Sequence, residues 1–367
     1  MASVLSRYLL RFYFRVALSC LTGLIFILLL SRFEFIARFA VLGSGPKEIL
    51  LFTLLQIPYI LPFIIPISCL IAAFLLFNRL SHSHEITAAR AAGRSIYHLA
   101  APILASSLIL GLLTFAISSE LTPYSRRKAN ELSEAIARIN PLLLLQKDSG
   151  LGLKELYADV KKLEKGKSAE EIILVMRPKG TGKFSIISAD KLLLEDGLLQ
   201  GTNVAFISSF GKDYPNGFDN LLIENQKKLR CGNSLIADLG RQGNSPKQSQ
   251  KAVYQSSKLL IGKLLSSQLT SSGPLQMELL RRISMSLATF TLTFIGLSCG
   301  LTLGRTPSKR GLLMASSLAT FFLLAFISGK ALVNSPYLLL LCYLAPHPII
   351  WFFSFFRVRK MEQGALS

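Results

Sequence analysis

The feature that most limits what this chain can fold into is a set of six stretches without Asp, Glu, Lys or Arg, at residues 16–31, 49–78, 95–119, 283–304, 311–329 and 331–356. The last five run for 19 to 30 residues. At about 1.5 Å per helical residue that is enough for the roughly 30 Å hydrocarbon core of a bilayer. In that solvent every backbone N–H and C=O must be satisfied internally, so such runs fold as helices. The first run has 16 residues and needs Arg15 and Arg32 to snorkel toward the head groups. Composition agrees: 51% of the 367 residues are hydrophobic and 17% charged, against about a quarter charged in soluble domains. A simple soluble enzyme, a disordered chain and a collagen-like repeat are excluded, and an integral membrane protein is expected.

Arg7, Arg11 and Arg15 before an apolar core also fit a secretory signal. No small-x-small cleavage site follows the core, however, so the segment is expected to stay as a first helix. Lys and Arg number 41 against 21 Asp and Glu, a net +20, which in a soluble protein would point to nucleic acid. Here the basic residues are spread along the chain, with no run longer than two apart from Arg126-Arg127-Lys128. They read as contacts with anionic lipid head groups and as orientation signals, with no nucleic-acid partner. Arg7, Arg11, Arg15, Arg79, Arg90, Arg94, Arg305, Lys309, Arg310, Arg357, Arg359 and Lys360 flank one set of span ends, and only Arg32, Arg38, Lys47 and Lys330 flank the other. That asymmetry places both termini in the cytoplasm and residues 122–282 on the far side.

The intervening segment of about 160 residues is large enough for a domain with its own core. It opens with Ala129, Leu132, Ile136 and Ile139 at helical spacing, closed by Asn140-Pro141. Short apolar bursts follow at 172–176, 184–188, 204–208 and 221–224, with Pro178-Lys179-Gly180, Asp196-Gly197 and Pro215-Asn216-Gly217 between or beside them. This texture predicts an all-β, jelly-roll-like domain. Residues 240–250 are polar and expected to be loose. The fold class is therefore a membrane α-helical bundle of six transmembrane helices with an all-β (jelly-roll-like) domain on the far side of the membrane, inserted between helices 3 and 4. Its parts are 1–121, 122–282 and 283–367.

No signature of chemistry is present. The Gly166-Lys167-Ser168 and Gly182-Lys183-Phe184 tripeptides fail the phosphate-loop pattern, and HExxH, GxSxG and CxxC are all missing. Cys20, Cys69, Cys299 and Cys342 lie in apolar runs and Cys231 is alone in the middle, so neither a disulfide framework nor a zinc site is supported. His82-x-His84-Glu85 has too few ligands for a metal site. The expectation is a non-enzymatic chain with no cofactor and no metal, whose energy comes from elsewhere. His347, between Pro346 and Pro348 in the last apolar run, is read as plugging a helix break by bonding freed carbonyls, or else as a functional intramembrane group. Pro58, Pro62 and Pro66 recur on one face of the second span and should loosen or bend its outer half, for a mobile helix or for a bent packing helix.

The most informative stretch lies between the second and third spans, at residues 78–95. Ser83 is placed to cap a short helix beginning near His84, and Gly93 to end it in a left-handed turn. A short helix on the cytoplasmic face with Glu85 and Arg90 exposed fits a plug for a partner's groove, and equally an interfacial helix. Glu85 through Ser95 reads E-x-x-x-x-x-x-A-G-x-S. That pattern resembles the loop after the second helix in the lipopolysaccharide-export permease family (LptF/LptG, YjgP/YjgQ type). Arg7-Tyr8-Leu9, Glu120-Leu121-Thr122-Pro123 and Glu278-Leu279-Leu280-Arg281-Arg282 look like the same family, as does the three-plus-three arrangement around a β insert.

The resemblance implies a permease subunit that pairs with a paralogous permease subunit and binds a dimeric cytoplasmic ABC ATPase. Docking would use the helix after the second span, with Glu85, Arg90 and Gly93 as the ATPase-coupling residues. It also implies extraction of lipopolysaccharide from the bacterial inner membrane and delivery to a periplasmic β-jellyroll bridge protein. Such a lipid carries phosphates above acyl chains, so its cavity needs cations at the outer helix ends over apolar walls. Arg32, Arg38, Arg126 and Arg127 stand at that depth, where head-group snorkelling would serve equally well as an explanation. The competing expectation is a membrane-anchored scaffold or receptor whose β domain recruits envelope partners without moving lipid.

Overall fold

The computed structural model describes residues 4–41, 45–139, 156–164, 168–176, 184–195, 198–209, 221–232, 252–265, 272–301, 309–329, 331 and 336–363. Residues 240–250 and the turn signals at 178–180 and 215–217 lie outside them. The chain divides into two compact units, Met1–Leu30 with Gln56–Arg126 and Ala252–Ser367, and Ser31–Leu55 with Arg127–Lys251.

The helices, in chain order, are α1 (Val4–Ser31), α2 (Phe33–Val41), α3 (Pro46–His82), α4 (Glu85–Ala91), α5 (Ile96–Ala116) and α6 (Thr122–Ile139). After the sheet come α7 (Ser257–Leu265), α8 (Ser272–Gly300), α9 (Lys309–Ser328), α10 (Pro336–Leu344) and α11 (Pro346–Glu362). Six helical stretches are long and apolar enough to cross a membrane: Val4–Ser31, Pro46–His82, Ile96–Ser133, Gly273–Gly300, Arg310–Ser328 and Tyr337–Glu362. They correspond one to one with the charge-free runs, and this is a multi-pass membrane protein. Most reach beyond those runs. α1 takes in Arg7, Arg11 and Arg15, and α8 begins eleven residues before Ile283, taking in Glu278, Arg281 and Arg282.

In the first unit α8 is the central helix, and its composition explains why. It is the least uniformly apolar of the spans, with Ser284, Thr289, Thr291, Thr293 and Ser298 all fully buried. Several of these hydroxyls donate to carbonyls three or four residues back, Thr293 to Thr289 at 2.7 Å and Ser298 to Ile295 at 3.1 Å. Helices of this kind are covered by protein, since small and polar residues permit close approach where lipid would reward neither. Gly296 and Gly300 are the closest points: a Cβ at Gly300 would stand 2.6 Å from the Phe74 carbonyl oxygen of α3, and one at Gly296 would stand closer still to that of Leu70. The opposite composition lies outside. Leu108, Ile109, Leu112 and Leu113 of α5 and Leu312, Leu313, Leu324 and Ile327 of α9 are all more than half exposed, as lipid-facing side chains are.

α3 stays helical through Pro58, Pro62 and Pro66. Pro62 removes the donor that the Pro58 carbonyl would have received, and the Thr122 hydroxyl replaces it at 2.8 Å. α5 widens into a π-helical turn at Ile117–Leu121 before α6 begins. Such turns shift the phase of the faces on either side, and here Ser118 and Ser119 are buried.

In the second unit, five strands form one antiparallel sheet in the order β1-β2-β3-β4-β5: β1 (Leu156–Glu164), β2 (Ser168–Met176), β3 (Phe184–Glu195), β4 (Leu198–Ser209) and β5 (Leu221–Gly232). Four of them contain the four apolar bursts. β1, which reads Leu-Tyr-Ala-Asp-Val-Lys-Lys-Leu-Glu, was missed because an edge strand needs no apolar run. Glu195 pairs with Leu198, and the Asp196-Gly197 signal between them lies outside the described residues. Every strand pairs with its sequence neighbour, a meander, and the crossed connections of a jelly roll are not among the described strands. One row interrupts the ladder: Lys161, Glu171, Asp190, Asn203 and Lys227 fall opposite one another but outside the paired register. Glu171 and Asn203 there adopt positive φ, 49° and 50°. Side chains bridge the row instead, Lys161 to Glu171 at 2.9 Å and Asn203 to Asp190 at 2.8 Å.

Candidate functional site

Two polar constructions occupy opposite ends of the first unit. At one end α4 hangs between α3 and α5 as seven residues bounded by two left-handed turns, His84 at φ 57° and Gly93 at φ 77°. Gly93 closes α4 as its sequence position predicts. Its N–H donates to the Arg90 carbonyl and that of Arg94 to Ala89, both at 2.9 Å, the paired bonds of a Schellman ending. The expected Ser83 cap is not formed. The Ser83 hydroxyl reaches the Arg79 carbonyl at 3.0 Å and Glu85 Oε1 at 2.8 Å, because the left-handed turn at His84 leaves Ser83 belonging to the end of α3.

Glu85 is half-buried and Ile86, 3% exposed, is the side chain that anchors α4 in the core. Arg90 was expected to be exposed alongside Glu85. Instead it turns inward, where its guanidinium Nη2 donates to the Glu362 carbonyl at the end of α11, at 2.8 Å. The helix thus presents Thr87, Ala88 and Ala91 outward, with Glu85 half-buried at one side, while Ile86 and Arg90 hold it from behind.

At the other end a buried ionic cluster surrounds Glu278, which is 1% exposed. Arg281 grips it with two bonds of 2.9 and 2.7 Å, and Arg282 adds a third at 3.0 Å. The rest of the Arg282 guanidinium, itself 1% exposed, donates to the Ser257 hydroxyl and the Gln255 carbonyl, both at 2.9 Å. Ser257 in turn donates to Ser119 in the π-helical turn at 2.9 Å. Arg282, held by that carboxylate, therefore ties α8 to α7 and, through Ser257, to the end of α5. The sequence contained these residues as Glu278-Leu279-Leu280-Arg281-Arg282, but only their i, i+3 and i, i+4 spacing hinted that they pair with each other.

Of the four cations expected to meet lipid phosphate, the side chains of Arg32, Arg126 and Arg127 are described. Arg126 belongs to the first unit, where its guanidinium carbon lies 3.9 Å from the centre of the Tyr59 ring. Arg32 and Arg127, both half-buried, belong to the second unit. The Arg38 side chain lies outside the described residues, although its backbone is part of α2.

His347 is corrected in a different way. It is 1% exposed, and its ring bonds hydroxyls of α8, Thr291 at 2.7 Å through Nδ1 and Ser284 at 3.2 Å through Nε2. Thr291 also donates to the Leu287 carbonyl and accepts from the Trp351 indole at 2.9 Å. A ring carrying its proton on Nδ1 and accepting at Nε2 satisfies every partner. The freed carbonyls of the α10–α11 break are not its partners.

Six spans, with a β sheet lying between the third and fourth in sequence, define a multi-pass membrane protein. A family model described as lipopolysaccharide export system permease LptF/LptG matches residues 7–360, nearly the whole chain, and the chain belongs to that family. A comparison with curated proteins gives no match. Membership supports a permease role in lipopolysaccharide export, within a complex that includes other proteins of that export system.

Proposed function

We propose that this chain is one permease subunit of an ATP-driven lipopolysaccharide exporter in the bacterial inner membrane, with both termini in the cytoplasm and the β domain in the periplasm. A paralogous permease subunit completes the cavity, and a dimeric cytoplasmic ABC ATPase binds α4 and supplies the energy. Arg32, Arg38, Arg126 and Arg127 meet the lipid phosphates at the outer helix ends, above apolar walls. The sheet is this chain's share of a β jelly roll that hands the lipid to a periplasmic bridge protein.

The family match over residues 7–360 carries the reading, and the build of α4 supports its mechanistic part. A short helix closed at Gly93 and backed by Ile86 and Arg90 leaves Glu85 half-exposed, where a partner's cation would meet it. The test is purification from a mild-detergent membrane extract, comparing wild type with Glu85→Ala and Glu85→Lys. Wild type is expected to bring down an ATPase subunit and bound lipopolysaccharide, and Glu85→Lys to lose the ATPase while remaining folded. A wild-type preparation that never yields an ATPase would overturn the proposal.

A further inference from the structure

We infer that Glu362, the last residue of α11, is a positioning residue that fastens α4 to two spans at once, so that a push on α4 moves α11 and α5 instead of only tilting α4. This rests on the reading of α4 as the ATPase-docking helix and adds what that docking would need behind it.

The problem it solves follows from the geometry of α4. Seven residues are joined to the bundle through two left-handed turns, His84 and Gly93, and one buried side chain, Ile86. A helix held at a single apolar point between two turns would rotate under load, and the displacement would not reach the membrane. Glu362 removes that freedom with both its polar groups. Its carbonyl, one of those left unsatisfied at any helix end, accepts Arg90 Nη2 at 2.8 Å. Its carboxylate accepts the Ile96 N–H at 3.0 Å, the first residue of α5, where the helix dipole favours an anion. Ser95 takes the His98 N–H, so the start of α5 is capped by one local residue and one distant one. Beneath these bonds Val358 and Met361 of α11 pack in the same core cluster as Ile86 and Ile96. Three helices, α4, α5 and α11, thus meet at one residue, and two of them are candidate membrane spans.

The experiment uses the complex purified with its ATPase and reconstituted into vesicles containing lipopolysaccharide. ATP hydrolysis and lipopolysaccharide extracted per ATP are measured separately. Glu362→Ala is expected to keep the ATPase bound and hydrolysing, while extraction per ATP falls on the order of tenfold, within the usual size of a coupling free energy. Glu362→Gln retains an oxygen for the Ile96 N–H and should stay within about twofold of wild type. Arg90→Ala removes the bond to the Glu362 backbone carbonyl, which Glu362→Ala leaves in place, so it should lower extraction per ATP by itself, and the double variant should fall below either single variant. Should Glu362→Ala fail to fold, Arg90→Cys with Glu362→Cys, bridged by a short bis-maleimide, is expected to recover most of the extraction per ATP that the unbridged pair lacks. Unchanged extraction per ATP in Glu362→Ala, or no recovery on bridging, overturns the assignment. So does loss of the ATPase from Glu362→Ala, which would make the residue part of the docking platform. Glu85→Lys serves as reference: if it still binds the ATPase, docking on α4 itself is wrong and the inference falls with it, a result separate from any failure at Glu362.

Discussion

Glu278 holds two guanidinium groups where all three side chains are largely buried, and its removal would take from both the carboxylate they bond. Glu278→Ala is expected to lower the unfolding free energy by about 3–5 kcal/mol, the usual cost of breaking a buried ion pair from one side, seen as a drop in the thermal unfolding temperature of the protein in detergent. Replacing Arg282 alone should cost less, since Arg281 still grips the carboxylate through two bonds. Thr122→Val is a finer test of the same kind. It removes the hydroxyl that satisfies the Pro58 carbonyl and should cost about 1 kcal/mol, with Thr122→Ser near wild type in the same melt. Both sites were visible in the sequence only as motif letters. Which atoms they satisfy depends on helices distant in the chain, and no local pattern encodes that.

Helix ends were legible where backbone chemistry marks them and illegible where charge was taken as the marker. Gly93 was placed correctly because only a residue without Cβ enters the left-handed region freely. Gly93→Ala should therefore destabilise by about 1–2 kcal/mol, and Gly93→Asn by less, in the same detergent melt. His84, a non-glycine in that region, went unrecognised for the same reason, and with it the fate of Ser83. α1 and α8 were cut short because Arg7, Arg11, Arg15, Glu278, Arg281 and Arg282 were read as boundaries, whereas the helices continue through them. Helix contact follows volume. Gly300→Ala would set a Cβ against the Phe74 backbone of α3, and backbone cannot yield as a side-chain tip does. It should fold poorly or melt lower, whereas Gly262→Ala in α7, with nothing within 4 Å, should be neutral or gain up to about 1 kcal/mol of helix propensity.

At the scale of the molecule, the proposed orientation yields a direct expectation. In a cysteine-free background, Lys161→Cys on the sheet should react with a membrane-impermeant maleimide in spheroplasts, and Thr87→Cys on α4 only after permeabilisation. Both positions are exposed, so reversed labelling would mean reversed topology. Number of spans, their order, the β region between the third and fourth, and the family were all determined by the sequence alone. Each is written in local terms: apolar length against bilayer thickness, alternation between turn signals, and a spaced motif. The tertiary structure alone decided that Arg90 faces inward to Glu362, that Glu278 gathers Arg281 and Arg282, and that His347 meets hydroxyls of α8. The physical reason is common to all three. A buried polar group must find its partner wherever packing brings one within about 3 Å, and that distance is set by the meeting of helices far apart in the chain.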